Sequence, residues 1–438
     1  MQTSFAWRSS ALRVLIAVGC LAAFQGCTPT ENTTSGAGGS GGDGGVGGIG
    51  GAGGSGGQGG AGGAGGSGGG NVGLPSTTAT QVAAGRLHAC AVTSAGAVRC
   101  WGYTNYGQLG NGAPLAEVAV PVAVEVSGLA GVTAISTSFD HTCAVLQDGG
   151  VKCWGLNDKG QLGNGSTANS NIPVDVSGLS SGVAAVAAGT AHTCALTTAG
   201  GVKCWGWNDK GQLGNDSTTN SKVPVDVMGL SSGVEAIAAG HYQTCAVTAS
   251  GGVKCWGGNV FGELGIDSVI DSYVPADVVG LSSGMTAIAA GEHVSCALTS
   301  NGAGRCWGKN DHGQLGDDAG GLGVESHVPV TVSGLSGATS ISVGYGYVCA
   351  LAAGAAKCWG YNSSGELGNG SASGFESLVP IGVTGLGSGV AGISTGSSTA
   401  CAVTTAGAVK CWGRNDGGQL GNNTQDDANV PVDVISLP

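Results

Sequence analysis

Residues His192–Asn215 read HTCALTTAGGVKCWGWNDKGQLGN: two cysteines ten positions apart, a Trp-Gly step and a Gly-Gln-Leu-Gly turn. Aligning the chain on its Cys-Trp-Gly steps brings Trp101, Trp154, Trp205, Trp256, Trp307, Trp359 and Trp412 into register, 51 to 53 residues apart. A repeat of that length is one supersecondary unit that cannot bury its apolar face alone, so stacked copies must make the core. In the third unit four short β-prone runs (183–189, 193–197, 201–205 and 223–227) are separated by Gly-rich turns, and no helical periodicity interrupts them. Four strands in each of seven units predict an all-β chain, a seven-bladed β-propeller of four-stranded blades.

The first run of each unit is built of small residues, as in Ala83-Ala84-Gly85, Ala187-Ala188-Gly189, Ala238-Ala239-Gly240 and Ala289-Ala290-Gly291. Glycine inside a strand marks close backbone approach, which places this run at the axis where blades converge. Cys194 and Cys204 flank Thr198-Ala199-Gly200, a three-residue hairpin loop with Gly free to take the left-handed position. Folding that hairpin sets the cysteines opposite one another, within disulfide reach. The expected pairs are Cys90–Cys100, Cys143–Cys153, Cys194–Cys204, Cys245–Cys255, Cys296–Cys306, Cys349–Cys358 and Cys401–Cys411, with Ala353-Gly354 making a two-residue turn in the shortened sixth unit. Zinc is the competing explanation for so many cysteines. It needs about four ligands per site, and the histidine two places before the first cysteine recurs only as His88, His141 and His192.

Arg8 and Arg13 precede an apolar run from Val14 to Phe24, the layout of an export signal and too short to span a bilayer stably. Gly26-Cys27-Thr28 resembles the lipobox of bacterial lipoproteins, which implies lipidation at Cys27, with Cys20 after Gly19 as the second candidate and plain secretion as the alternative. Residues 1–27 are thus expected to be a signal segment and 28–76 a Gly-rich disordered tether; the propeller fills 77–438. A Gly-rich coil of some 49 residues has an r.m.s. span of roughly 35 to 42 Å. The localisation expected is the outer membrane or cell surface, or the medium, with the N-terminal lipid as the membrane contact. Export makes oxidation of the fourteen remaining cysteines plausible.

Net charge is −12, and seven of the fifteen Lys and Arg residues occupy one slot before the second cysteine (Arg99, Lys152, Lys203, Lys254, Arg305, Lys357, Lys410). Charge spread once per repeat makes a solvated strand face and no basic patch, so nucleic acid is not an expected partner.

The run A-A-G-x-x-H-T-x-A-L-T-x-x-G-x-V-x-x-W-G-x-N-x-x-G-Q-L-G, as it stands from Ala187 to Gly214, resembles the repeat of the regulator of chromosome condensation (RCC1) family over nearly all of residues 81–438. The resemblance implies a seven-bladed propeller of four-stranded blades; the cysteine pair departs from the eukaryotic members. It also implies guanine-nucleotide exchange as a possible activity, which export and acidity oppose, and extracellular protein binding as in bacterial members. If each blade borrows its last strand from a neighbour, the strand at 430–434 joins the first blade and closes the ring, which removes sheet edges. A closed ring of this kind is expected to be a monomer.

Alternating strand direction puts the A-B and C-D connections of every unit on one face. Slots that differ between units on that face are free for recognition, and they hold Phe139, His141, Trp207, His241, Tyr242, Phe261, His293, Tyr345, Tyr347 and Tyr361. These residues are the expected contacts for a protein or glycan ligand. His88, His141 and His192 are equally readable as structural hydrogen-bonders. Asp175, Asp226, Asp277 and Asp433 recur in one fourth-strand slot and read as scaffold. The Asn157-Asp158 and Asn208-Asp209 stretches suit turns better than calcium. No catalytic set, metal set or cofactor is expected, and an enzyme site assembled across blades is the alternative to a binding module.

Overall fold

The computed structural model describes residues 78–371 and 374–437. The expected signal segment, with Cys20 and Cys27, and the tether lie outside them. The described residues form seven four-stranded antiparallel sheets: blade 1 (Ala79–Glu125), blade 2 (Val132–Asp175), blade 3 (Val183–Asp226), blade 4 (Val234–Asp277), blade 5 (Met285–Thr331), blade 6 (Ala338–Gly382) and blade 7 (Val390–Asp433). Each blade is four consecutive strands, A to D from the axis outwards. In blade 3 these are Val183–Ala188, His192–Thr197, Val202–Gly206 and Ser221–Asp226, each within two residues of the run read from sequence.

The cysteines occupy the middle of each blade. In blade 3 one row runs Ala187, Cys194, Cys204, Val225 across the four strands. All seven expected disulfides are present, with Cα–Cα separations of 4.0 to 4.1 Å. Gly200 takes φ +80° in the three-residue loop, and Ala353 and Gly354 take φ +51° and +75°, both left-handed as a two-residue type I′ hairpin demands.

The core is seven inter-blade layers. The layer between blades 3 and 4 holds Leu196, Leu213, Val227, Leu230, Ile237 and Trp256. Each of the seven repeat tryptophans (Trp101, Trp154, Trp205, Trp256, Trp307, Trp359, Trp412) is fully buried and donates its indole N–H to the backbone carbonyl of the Gln or Glu in the Gly-Gln/Glu-Leu-Gly turn of the preceding blade, as Trp205 to Gln161 O at 2.8 Å and Trp256 to Gln212 O at 3.0 Å. That contact explains the last glycine of the turn: a Cβ on Gly214 would lie 2.6 Å from Trp256 Nε1. The Asn of each Trp-Gly-x-Asn sequence is a loop hub. Asn208 Nδ2 donates to Ser217 O (2.9 Å) and Thr219 O (3.0 Å), and its Oδ1 accepts from Leu213 N (2.9 Å). Its role is turn chemistry, and it holds the C-D loop that carries Trp207.

Ring closure differs from the expectation. The last strand, Ala428–Asp433, pairs with Val409–Gly413 inside blade 7, and blade 1 is complete without it. Closure comes instead from contacts of the kinds used at other interfaces, the Trp-to-turn bond being common to all seven. Trp101 donates to Gln419 O (2.9 Å) and Ala84 N to Ser394 Oγ (3.0 Å), while Trp101, Val82 and Val434 share one apolar layer. Strand exchange is unnecessary because the Trp-to-turn bond already links blade n to blade n−1, and blade 1 finds its predecessor in blade 7.

The recurrent Lys slot pairs with the recurrent fourth-strand Asp: Lys152–Asp175, Lys203–Asp226 and Lys410–Asp433 at 2.6 Å, and Lys254–Asp277 at 2.7 Å. The Asp side chains are largely exposed, so each pair is worth only about 0–1 kcal/mol. Both sets are scaffold.

Candidate functional site

Each A-B connection places three successive residues in three different settings. The third residue points between blades. His88, His141 and His192 are buried there, and their Nε2 atoms meet the hydroxyls of Thr142, Thr193 and Thr244 in the next blade, each at 2.9 Å. Thr193 and Thr244 themselves donate to Gln161 O and Gln212 O at 2.9 Å, so the histidines facing them must donate from Nε2. Their Nδ1 atoms are left as dry, unpartnered acceptors. Burial accordingly holds the pKa of His88 and His192 down to about 3 and of His141 to about 4. Tyr347 fills the same slot in blade 6 and is also fully buried; its hydroxyl donates to Thr399 O (2.8 Å). His141 and Tyr347 were expected on the recognition face, and the structure puts both inside the blade interfaces instead.

The first residue of the connection lines the mouth of the axis. In blade order this slot holds Arg86, Phe139, Thr190, His241, Glu292, Tyr345 and Ser397. Below it lies a narrow axial cavity of about 90 Å³ walled by Ala84, Ala188, Ala239 and Ala290. Backbone bonds circle the mouth, including His241 N to Gly291 O (3.1 Å) and, across the closure, Ser397 N to Gly85 O (3.3 Å).

The second residue of the connection faces the C-D loop of the preceding blade, and there the remaining aromatic residues meet. Tyr242 packs edge-on against Trp207 with ring centres 5.1 Å apart and stacks on His241 at 4.0 Å. His293 packs against Phe261 at 4.7 Å and His241 at 5.6 Å, and Phe139 reaches His241 at 5.6 Å past the small Thr190 of blade 3. Cations flank the run: Arg86 over Phe139 and Lys309 over Phe261, each 5.5 Å from the ring centre. Tyr361 lies farther round, 4.7 Å from His312, and Tyr345 stands 48% exposed on the rim. Eight of the ten expected contact residues therefore share the face. His312 and Arg86 extend it.

Carboxylates are set among these rings. Arg86 Nη2 donates to both carboxylate oxygens of Asp140 (2.9 and 3.1 Å); burial pushes the Asp140 carboxyl up, and the guanidinium partly offsets this. His293 Nδ1 lies 3.1 Å from Glu263 Oε1, and Glu292 Oε1 lies 3.8 Å from His241 Nδ1 and 3.9 Å from His293 Nε2. This grouping was not legible as a sequence motif, because its members come from adjacent units. The signal available was the slot: His241 and Glu292 occupy the same position one repeat apart.

The pattern described as the RCC1-like domain matches residues 48–384, and RCC1 repeats match 390–419 and 406–438. The ultraviolet-B receptor UVR8 of Arabidopsis thaliana is 32% identical over 367 residues, which cover 81% of this chain and 81% of that protein. The E3 ubiquitin-protein ligase HERC2 of Homo sapiens is 32% identical over 345 residues; these are 76% of this chain and only 7% of the ligase. Among solved structures, yeast RCC1 (Prp20) bound to Kap60 superposes with a TM-score of 0.68 at 22% identity, covering 77% of this chain and 83% of that one. Human WBSCR16 superposes with a TM-score of 0.67 at 23% identity, covering 76% and 92%. The fold, the repeat and the matched span agree: the chain belongs to the RCC1-like domain family.

Proposed function

We propose that the protein is a non-catalytic protein-binding module acting through the face built by its A-B and C-D connections. The observation that carries this reading is the continuous run of ring contacts from Phe139 through His241 and Tyr242 to Trp207, with His293 and Phe261 beside it, in slots the blade architecture leaves free. Large half-buried aromatics beside charged groups are the composition of contact hot spots. A likeness of fold adds precedent, since yeast RCC1 (Prp20) is crystallised bound to Kap60. The strongly perturbed histidines lie between blades and away from the mouth, which favours binding over acid–base chemistry.

Export and tethering through Cys27 belong to the same proposal, supported by the basic and apolar N-terminal layout and by the pairing of every cysteine in the propeller. The test is affinity capture from the cell envelope with the soluble propeller. Trp207→Ala with Tyr345→Ala should lose the captured protein, and Thr198→Ala on the opposite face should keep it. Equal capture by all three would overturn the assignment of the face. Radiolabelled palmitate should enter the wild-type chain and not Cys27→Ala.

A further inference from the structure

We propose that His241, Glu292 and His293 form a binding site for a first-row divalent metal ion of the zinc class, a further function of the face assigned to partner binding. Among the described residues this is the one group of three whose ligand atoms all lie within 4.8 Å of one another. Glu292 Oε1 stands between the two imidazoles, 3.8 Å from His241 Nδ1 and 3.9 Å from His293 Nε2. Zinc bonds of about 2.0–2.1 Å set tetrahedral ligands about 3.3–3.4 Å apart. The two imidazole–carboxylate gaps exceed this by about half an ångström and the imidazole–imidazole gap lies within 4.8 Å, so side-chain movements of at most about 0.7 Å at each imidazole close the set. Two imidazoles and one carboxylate are the ligand types that zinc takes when a fourth position stays open. The three side chains keep 19, 16 and 13% exposure, enough for an ion to enter from the mouth.

Two further observations point the same way. His241 Nδ1 and Glu292 Oε2 are cut off from solvent and have no hydrogen-bond partner. Such groups are costly to bury unless something satisfies them. Second, the lone pair of His293 is aimed. Glu263 replaces the Gln found in this turn at Gln108, Gln161, Gln212, Gln314 and Gln419. One of its oxygens accepts the Phe261 N–H (2.7 Å), as Gln161 accepts from Lys159, and the other meets His293 Nδ1 at 3.1 Å. A proton held on Nδ1 leaves Nε2 bare and turned toward Glu292, the carboxylate–histidine arrangement that orients metal ligands. Glu263 is a positioning residue. His293 also holds φ at +55°, in the slot that blade 6 fills with Gly346 at +75°. The backbone thus presents an imidazole where a glycine is the easier choice.

The test is equilibrium dialysis and calorimetric titration of tag-free, oxidised, chelator-stripped full-length protein with Zn²⁺. One equivalent should bind. His241→Thr and His293→Gly install residues that sibling blades carry in the same slots (Thr190, Gly346), and each should weaken binding at least 100-fold. Glu263→Gln should weaken it about 10- to 100-fold at unchanged stoichiometry, and His312→Ala should leave it unchanged. Co²⁺ in place of Zn²⁺ should give the intense visible absorption of low-coordinate imidazole ligation; should a variant fail to fold, this signal from the wild type decides alone. Wild-type binding no tighter than in His241→Thr and His293→Gly, or a Co²⁺ spectrum identical to the aqueous ion, overturns the site. Partner capture plays no part in the readout, so a failure here is separable from a failure of the binding-module reading.

Discussion

At the scale of the residue, the molecule rests on a few contacts that recur from blade to blade, and the buried histidines, present at three of the seven interfaces, are the pH-sensitive ones among them. The folded pKa values of His88, His141 and His192, about 3 to 4, lie below the ordinary histidine value of 6.5. The unfolded chain therefore takes up protons first, so this contribution is intact above pH 6.5 and is lost as the pH falls from there towards 3–4, at up to about 1.4 kcal/mol per pH unit for each histidine. Blade 4 shows a non-titrating solution: Gln243 fills the slot and donates to Gly291 O (3.0 Å) and Val294 O (3.2 Å). Replacing all three histidines by Gln should move the acid-unfolding midpoint, followed by tryptophan fluorescence, to lower pH. An unchanged midpoint would show that another group governs it. The turn glycines offer a second test. Gly165→Ala adds a Cβ in open space at φ +79°, whereas Gly214→Ala at φ +67° meets Trp256. The first should cost about 1–2 kcal/mol and the second distinctly more, read as the difference between their thermal midpoints.

At the scale of the element, the B-C hairpin is the stapled unit. Each disulfide closes a loop of nine or ten residues, worth roughly 2–3 kcal/mol in the chain-entropy description. The double change Cys194→Ala with Cys204→Ala should lower stability to denaturant by about that amount, with some addition for the small cavity left in a layer where both residues are fully buried. Mass spectrometry of unreduced material should meanwhile find no free thiol in the wild-type propeller. A blade-3 double variant as stable as wild type would mean that the staples serve folding or redox protection and not equilibrium stability.

At the scale of the whole molecule, closure is one more copy of an interface already made six times. Trp101→Phe should then cost what Trp205→Phe costs, since each leaves one buried turn carbonyl without its donor, a loss of about 1–3 kcal/mol. A much larger cost at Trp101 would show that the seam between blades 7 and 1 is special. A chain ending at residue 386 lacks blade 7 and strips the cover from the layer that holds Trp101, Val82 and Ala91. It should elute as an aggregate on size exclusion, because an open ring presents two unsatisfied apolar faces.

What the order of residues determined by itself is the repeated part. The Trp-Gly step, the small-residue A strand, the turn glycines and the cysteine spacing are local requirements of one blade, so seven copies announce the fold, the strand count and the pairing. The same logic separated the scaffold charges, Lys203 with Asp226 among them, from anything functional. Tertiary structure alone decided how non-repeated residues meet. His141 and His241 are both loop histidines by composition, yet one sits in the inter-blade slot and the other at the mouth, because they stand at the third and first places of their connections. Ring closure without strand exchange was likewise settled only by packing, since an isolated unit does not reveal which neighbour its Trp will reach. The grouping of His241, Glu292, His293 and Glu263 joins two blades through side-chain directions, and those directions exist only once the sheets are stacked around the axis.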